Sequence, residues 1–147
     1  MARWGHPVHS FLAGLTPLGE GARVLDLGCG TGATLAAIAV VAPRARLHGV
    51  DLNADAIAEA RQRLGALGCA PELAPANLCE PLPMAAATYD LVICHNVLEC
   101  IPDPGALLRE AARVTRPGGR TIWSHVDFDA IITSGAEPAL DRRVIHA

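Results

Sequence analysis

The sequence predicts an α/β domain built on a parallel β-sheet with helices on both faces. Three observations carry that prediction. Short apolar bursts alternate with helix-periodic segments. The strand-like bursts are apolar throughout instead of alternating with polar residues, as strands covered on both faces are. A glycine-rich turn, "GCGTG" (28–32), joins the first burst to the first helical segment. The chain of 147 residues is long enough for one domain with a real core, and it contains no internal repeat or low-complexity linker. A single domain over 1–147 is therefore expected.

The elements follow in order. "FLAGL" (11–15) reads as a short leading helix, closed by the turn "TPLGEG". "ARVLDLG" (22–28) is a buried strand, and "TLAAIAVVA" (34–42) a helix stopped by Pro43. "ARLHGVDL" (45–52) is the second strand. In "ADAIAEARQRLGALG", Ile57, Ala60, Leu64 and Leu67 recur at helical spacing and mark one buried face, with Gly68 as the C-cap. "ELAPANL" (72–78) is a weak strand whose Pro75 assigns it to a sheet edge. "YDLVICHNVL" opens as a strongly apolar fourth strand. Asp103 and Pro104 supply an N-cap and first-turn pair for the helix "GALLREAARVT". "RPGGR" is expected as a tight turn into a fifth strand, "TIWSHV" (121–126). Leu140, Val144 and Ile145 then return at helix spacing. An uncovered fifth strand is a surface for self-association unless further chain or a partner covers it.

Composition excludes several classes. No burst approaches the roughly 18 consecutive apolar residues of a membrane span, and "MARWGHPVHS" lacks the plan of a signal peptide. A soluble, cytoplasmic protein is expected. The five cysteines (Cys29, Cys69, Cys79, Cys94, Cys100) are irregularly spaced with no C-x-x-C pair, so neither a disulfide framework nor a zinc site is indicated. Cys94, His95 and Cys100 lie close in sequence, but strand neighbours point to opposite faces and a fourth ligand is missing, so no metal is expected. Net charge is −3, and the twelve arginines are scattered without a basic stripe. With few aromatics beside them, no nucleic-acid partner is expected.

Chemistry concentrates at the glycine turn. Ligands of open parallel sheets bind at the carboxyl ends of the strands, near the reversal of strand order. Gly28, Gly30 and Gly32 permit unusual backbone angles and leave no Cβ in the way. The helix that follows offers free N–H groups to a carboxylate or phosphate. Asp51 closes the second strand, 21 positions after Gly30, where a carboxylate accepts from the hydroxyls of a ribose. Asp26 stands inside the first strand; a buried carboxylate costs several kcal/mol without partners, so it should face the turn and its ligand. Gly28, Gly30 and Ala33 also fit the dinucleotide fingerprint G-x-G-x-x-G/A, but a pyrophosphate beside Asp26 would be repelled, whereas an ammonium would be attracted.

"VLDLGCGTG", "GVDLN", "YDLVICHNVLECIPDP" and "RPGGRTIW" together resemble consecutive motifs of the class I S-adenosylmethionine-dependent methyltransferases, closest to small-molecule enzymes of the ubiquinone/menaquinone-biosynthesis type. The resemblance spans about residues 20–126. It implies a Rossmann-like sheet of order 3-2-1-4-5. It further implies S-adenosylmethionine as cofactor, and methyl transfer to an O, N or C atom of a small molecule. The alternative is a cofactor-binding module without activity of its own. Residues 1–20 would supply the leading helix and turn, and 127–147 the start of a substrate-side region. Full-length relatives add two further strands, so the chain is expected to be C-terminally incomplete.

By the same resemblance, Asp26, Gly28, Cys29, Gly30 and Gly32 hold the methionine end of the cofactor. Asp51 takes the ribose, Leu52 packs on the adenine, and Asn77 and Leu78 flank its edge. Relatives usually carry aspartate where Asn77 stands, so one bond there loses charge assistance, on the order of 1 kcal/mol. His95, Asn96 and Leu98 fall where relatives line the methionine end and the substrate mouth. Cys100 follows Glu99 where many relatives have histidine. His95 and His125 are the candidate catalytic bases, with Asp127 and Asp129 near the latter, whereas His48 reads as a satisfied core or rim residue.

Overall fold

The computed structural model describes residue 14 and residues 17–124. The leading helix, His125, Asp127, Asp129 and the helix-spaced tail expected from the sequence lie outside the described residues, Gly14 apart. The elements run β1 (Arg23–Leu27), α1 (Ala33–Val41), β2 (Arg46–Asp51), α2 (Ala54–Ala66), β3 (Glu72–Pro75), β4 (Tyr89–His95), α3 (Pro104–Val114) and β5 (Thr115–Ser124). All strand pairs are parallel, and the order is β3-β2-β1-β4-β5, as expected. Pro75 ends the edge strand β3, where its missing N–H costs no inner ladder bond.

Two apolar cores sandwich the sheet. Val24, Leu47, Leu91 and Ile93 meet Leu35 and Ile38 of α1 and Ile57, Ala60 and Leu64 of α2 on one face. Leu25, Leu27, Val92 and Cys94 meet Leu107, Ala111 and Val114 of α3 on the other. Each central strand therefore buries both its faces, which is why the sequence shows runs instead of alternation.

Caps follow the local chemistry. Asp103 Oδ1 accepts from the Ala106 N–H at 3.0 Å, with Pro104 in the first turn of α3. Asn53 caps α2 by accepting from Asp55 N and Ala56 N through its side-chain oxygen. Gly68, at φ +74°, ends α2: Cys69 N donates to Leu64 O and Gly68 N to Gly65 O, the Schellman pattern.

Three expectations need correction. Leu67 does not join the buried face of α2; as C-cap it rotates out and is 51% exposed. The third strand stops at Pro75, so Asn77 and Leu78 lie in the turn beyond it. "RPGGR" is not a turn ahead of the fifth strand, because β5 pairs with Tyr89 from Thr115 onward. Its glycines form an irregularity between the Tyr89–Thr115 and Leu91–Arg120 pairs, with Gly118 at φ +76°. A Cβ at Gly119 would lie 3.0 Å from the Tyr89 carbonyl oxygen, so the glycine permits that close approach.

Candidate functional site

Strand order reverses between β1 and β4, and the turns that follow these two strands face each other there. After β1 the backbone N–H groups of Gly28 and Cys29 both donate to the Val50 carbonyl, at 2.8 and 2.9 Å, and Gly32 N donates to Cys29 O at 2.9 Å. Gly28, Gly30 and Gly32 have φ of +74°, +49° and +76°. Each glycine has its own reason. A Cβ at Gly28 would meet Val97 of the opposite turn, and one at Gly32 would lie 3.0 Å from Ala60 Cβ where α1 packs on α2. A Cβ at Gly30 would meet nothing within 4 Å, so Gly30 turns toward open space. Gly32 caps α1 with no side chain, and the first turn carries no acid, so its amides keep their partial positive charge for a ligand.

Two carboxylates frame this turn. Asp51, half-buried at the end of β2, accepts from Gly30 N through Oδ2 at 2.7 Å and from Asn53 N through Oδ1 at 2.9 Å. It thus fixes the glycine turn to β2. Asp26 is 1% exposed, and its Oδ1 has no hydrogen-bond partner among the described residues. Burial, and secondarily the charge of Asp51, pushes its carboxyl up to about 7. The thiols of Cys29 and Cys94 are pushed up to about 12, chiefly by burial and then by Asp26, so neither is a thiolate at neutral pH.

The remaining residues are distributed around the crevice. Leu52 is 74% exposed beside Asp51, an apolar side chain left outside both cores. Asn77 Oδ1 accepts from Cys79 N, and its Nδ2 donates to Glu80 Oε1 at 2.9 Å. The Leu78 side chain is buried in the α3-side core, so only its backbone is left for a ligand. On the other wall, His95 ends β4, Asn96 adopts φ +54°, and Leu98–Cys100 form a 3-10 turn with Glu99 and Cys100 exposed. His95 Nδ1 lies 2.6 Å from Ser124 Oγ, and its Nε2 lies 3.3 Å from Asn96 Nδ2. Neither Ser124 nor Val97 stood out in the sequence; only their positions at the end of β5 and after β4 give them meaning.

His48 lies away from these turns, hydrogen-bonded through Nδ1 to the Tyr89 hydroxyl, and burial lowers its pKa. Tyr89 packs on the α3-side core with Val92, although even spacing would set it beside Leu91; the register shift at this point turns it over. Among the described residues no cluster of His, Cys, Asp and Glu is arranged to hold a metal ion, and no helix is long and apolar enough to cross a membrane.

A parallel sheet with a glycine turn at its switch point and a carboxylate closing β2 defines a nucleoside-cofactor-binding α/β domain. Comparison with known proteins narrows this class. Residues 18–143 match the model of a methyltransferase domain family. The chain is 40% identical over 103 residues to a trans-aconitate 2-methyltransferase of Azoarcus sp., covering 70% of this chain and 38% of that protein. It is 35% identical over 107 residues to a ubiquinone biosynthesis O-methyltransferase of Aromatoleum aromaticum, covering 73% and 45% respectively. The structure of a SAM-dependent methyltransferase from Aquifex aeolicus superposes with a TM-score of 0.71 at 20% identity, over 90% of this chain and 70% of that one, a likeness of fold. The chain belongs to this methyltransferase family, in the class I S-adenosylmethionine-dependent group. It spans less than half the length of each of the two sequence relatives.

The residues present fit S-adenosylmethionine. Its ammonium suits the buried Asp26 carboxylate, whose Oδ1 has no partner among the described residues, and its carboxylate suits the amides of α1 that no side chain caps. A pyrophosphate would meet the charge of Asp26 instead, against the dinucleotide alternative.

Proposed function

We propose that this chain binds S-adenosylmethionine and transfers its methyl group to a small-molecule acceptor at O, N or C. The observation that carries the reading is the buried, unpartnered Oδ1 of Asp26 under a glycine turn that Asp51 holds in place. When bound, the cofactor supplies an activated methyl group on a sulfonium. The protein has to orient and exclude water. The backbone of Gly28, Cys29, Gly30 and Gly32, together with Asp26, holds the methionine end. Asp51 keeps lone pairs for ribose hydroxyls while retaining Gly30, and Leu52 offers an apolar platform for adenine. Asn77 and the Leu78 backbone border the adenine edge, and His95 faces the mouth where methionine end and acceptor meet.

The acidic balance and scattered arginines favour a small acceptor over nucleic acid. All five cysteines are free thiols, which agrees with a reducing, cytoplasmic setting. The outer edge of β5 has no strand partner among the described residues and is the surface we assign to self-association. A second reading is a cofactor-binding module without activity of its own, since the described residues at Asp26, Gly30 and Asp51 build a cofactor cradle.

Calorimetric titration with S-adenosylmethionine and S-adenosylhomocysteine tests the binding half. Wild type should bind both, and Asp51→Ala should lose at least about tenfold in affinity, the loss of one charge-assisted bond. No binding by wild type sinks both readings. Release of S-adenosylhomocysteine in the presence of acceptors separates enzyme from module.

A further inference from the structure

We propose that the Thr34 hydroxyl donates to the carboxylate at the methionine end of S-adenosylmethionine, across the crevice from the Asp26 carboxylate that takes the ammonium. The assignment rests on the methyltransferase reading. Tyr89 and the thiols apart, Asp26 and Thr34 are the two buried polar side chains among the described residues, 1% and 4% exposed. Other threonine hydroxyls settle on a nearby carbonyl: Thr115 donates to Ala111 O at 2.7 Å, and Thr88 to Ala85 O at 2.8 Å. The Thr34 hydroxyl has no such bond to a described residue. The residues three and four before it, Thr31 and Gly30, lie in the turn ahead of α1, so no helical carbonyl stands behind it. Asp26 Oδ1 is the one fully enclosed side-chain oxygen or nitrogen without a partner among the described residues, so the Thr34 oxygen opens to solvent.

Position brings the two groups to one place. Asp26 stands two residues beyond Val24 on β1, hence on the same strand face, and Val24 belongs to the α1-side core. Thr34 stands one helical turn before Ile38, which belongs to that core too. The helix of a strand–helix–strand unit runs back against its strand, and these two steps advance by about 5–7 Å each. Beyond the core, toward the carboxyl ends of the strands, the next residues are therefore Asp26 on the sheet and Thr34 on the helix. An anionic group repelled by Asp26 meets only donors on the helix side. These are the N–H groups of Ala33, Thr34 and Leu35, ahead of the helical bond from Ala36 N to Gly32 O at 2.9 Å, and the Thr34 hydroxyl. An amino-acid zwitterion thus finds an acid on one wall and donors on the other, which selects that end of the cofactor.

Thr34→Val keeps the shape of the side chain and removes the hydroxyl. Calorimetry compares S-adenosylhomocysteine with methylthioadenosine, which keeps the nucleoside and the sulfur but lacks the amino-acid end. Wild type should bind S-adenosylhomocysteine the more tightly. Thr34→Val should weaken that binding about tenfold and leave methylthioadenosine unchanged. Thr34→Ser, which keeps a donor, should bind both ligands as wild type does. Melts of the ligand-free proteins should place Thr34→Val no lower than wild type, since the hydroxyl it loses has no partner among the described residues. Undiminished S-adenosylhomocysteine binding by Thr34→Val, an equal loss for both ligands, a Thr34→Ser as weak as Thr34→Val, or a Thr34→Val that melts well below wild type overturns the assignment. So does a wild type that binds the two ligands equally, although the nucleoside site then stands. A wild type that binds neither removes the methyltransferase reading itself, and the assignment falls with it.

Discussion

Val97 lies so close over Gly28 that a Cβ on the glycine would clash with Val97 Cγ2. The two turns at the switch point are thus in contact, and a hydrogen atom at position 28 is what lets them meet. Gly28→Ala adds both this clash and the strain of φ +74°, together about 2–4 kcal/mol. Adding Val97→Ala should recover the clash and leave about 1–2 kcal/mol of backbone strain. Urea denaturation of the single and double variants measures both parts.

Asp26 makes stability depend on pH. Its carboxyl is raised from 3.8 to about 7, so the folded state holds the proton more tightly than the unfolded one. That contribution is fully present below pH 3.8 and is lost as pH rises through 7. Its full size is about 4 kcal/mol. Wild type should therefore lose stability relative to Asp26→Asn between pH 5 and pH 8 (roughly the window that linkage sets). Denaturation midpoints at these pH values check the sign; parallel curves would remove Asp26 as the cause.

The same proton should report on the ligand. Pairing with an ammonium requires the ionised carboxylate, so cofactor binding near pH 7 should release a proton from Asp26. Titrations in buffers of different ionisation enthalpy will give different apparent heats for wild type, and this dependence should shrink in any Asp26→Asn binding that remains.

Leu52 separates binding from folding. It is 74% exposed and belongs to neither core. Leu52→Ser should change stability by less than about 0.5 kcal/mol, yet weaken S-adenosylhomocysteine binding by about 1 kcal/mol through lost apolar contact. Thermal melts and calorimetry on one preparation compare the two effects.

Arg113 fastens the segment ahead of β4 to α3. Its guanidinium donates to the carbonyls of Leu82 and Met84 and to Glu110, whose Oε2 accepts from Leu82 N. The Arg113 hydrogen bonds and the Leu82 amide hold Glu110 down to about 2. Its contribution is present above pH 4.5 and lost as pH falls through about 2. Arg113→Lys cannot reproduce the planar fork, so it should speed amide exchange at Leu82 nearly as much as Arg113→Ala. Hydrogen exchange at that amide is the measurement.

Much of the architecture was legible because strand burial and helix capping are local. Val24, Leu25 and Leu27 announce a strand buried on both faces, Asp103-Pro104 announces a helix start, and Pro75 an edge. The expected sheet order came with the family resemblance, and the observed order agrees with it. Gly118 and Gly119 misled for a physical reason: a glycine pair serves a turn or a strand irregularity equally, and only the partner Tyr89 selects the latter. Leu67 fits a helical period, but the helix ends beneath it. Within the site, Asp26 and Asp51 were visible from their place in apolar strands. Val97 and Ser124 were not, since each acquires its role from a residue distant in sequence, Gly28 and His95.

The shared Val50 carbonyl has a kinetic consequence. Because Gly28 and Cys29 both hang from it and Asp51 holds Gly30 one residue further along β2, one side of the crevice moves as a single body. Loosening the glycine turn means breaking three bonds to β2 at once. Ligand exchange is then left to the opposite rim, at the Leu98–Cys100 turn, where Glu99 and Cys100 are exposed. The dwell time of a bound nucleoside should be written there, in a segment that makes little contribution to holding it.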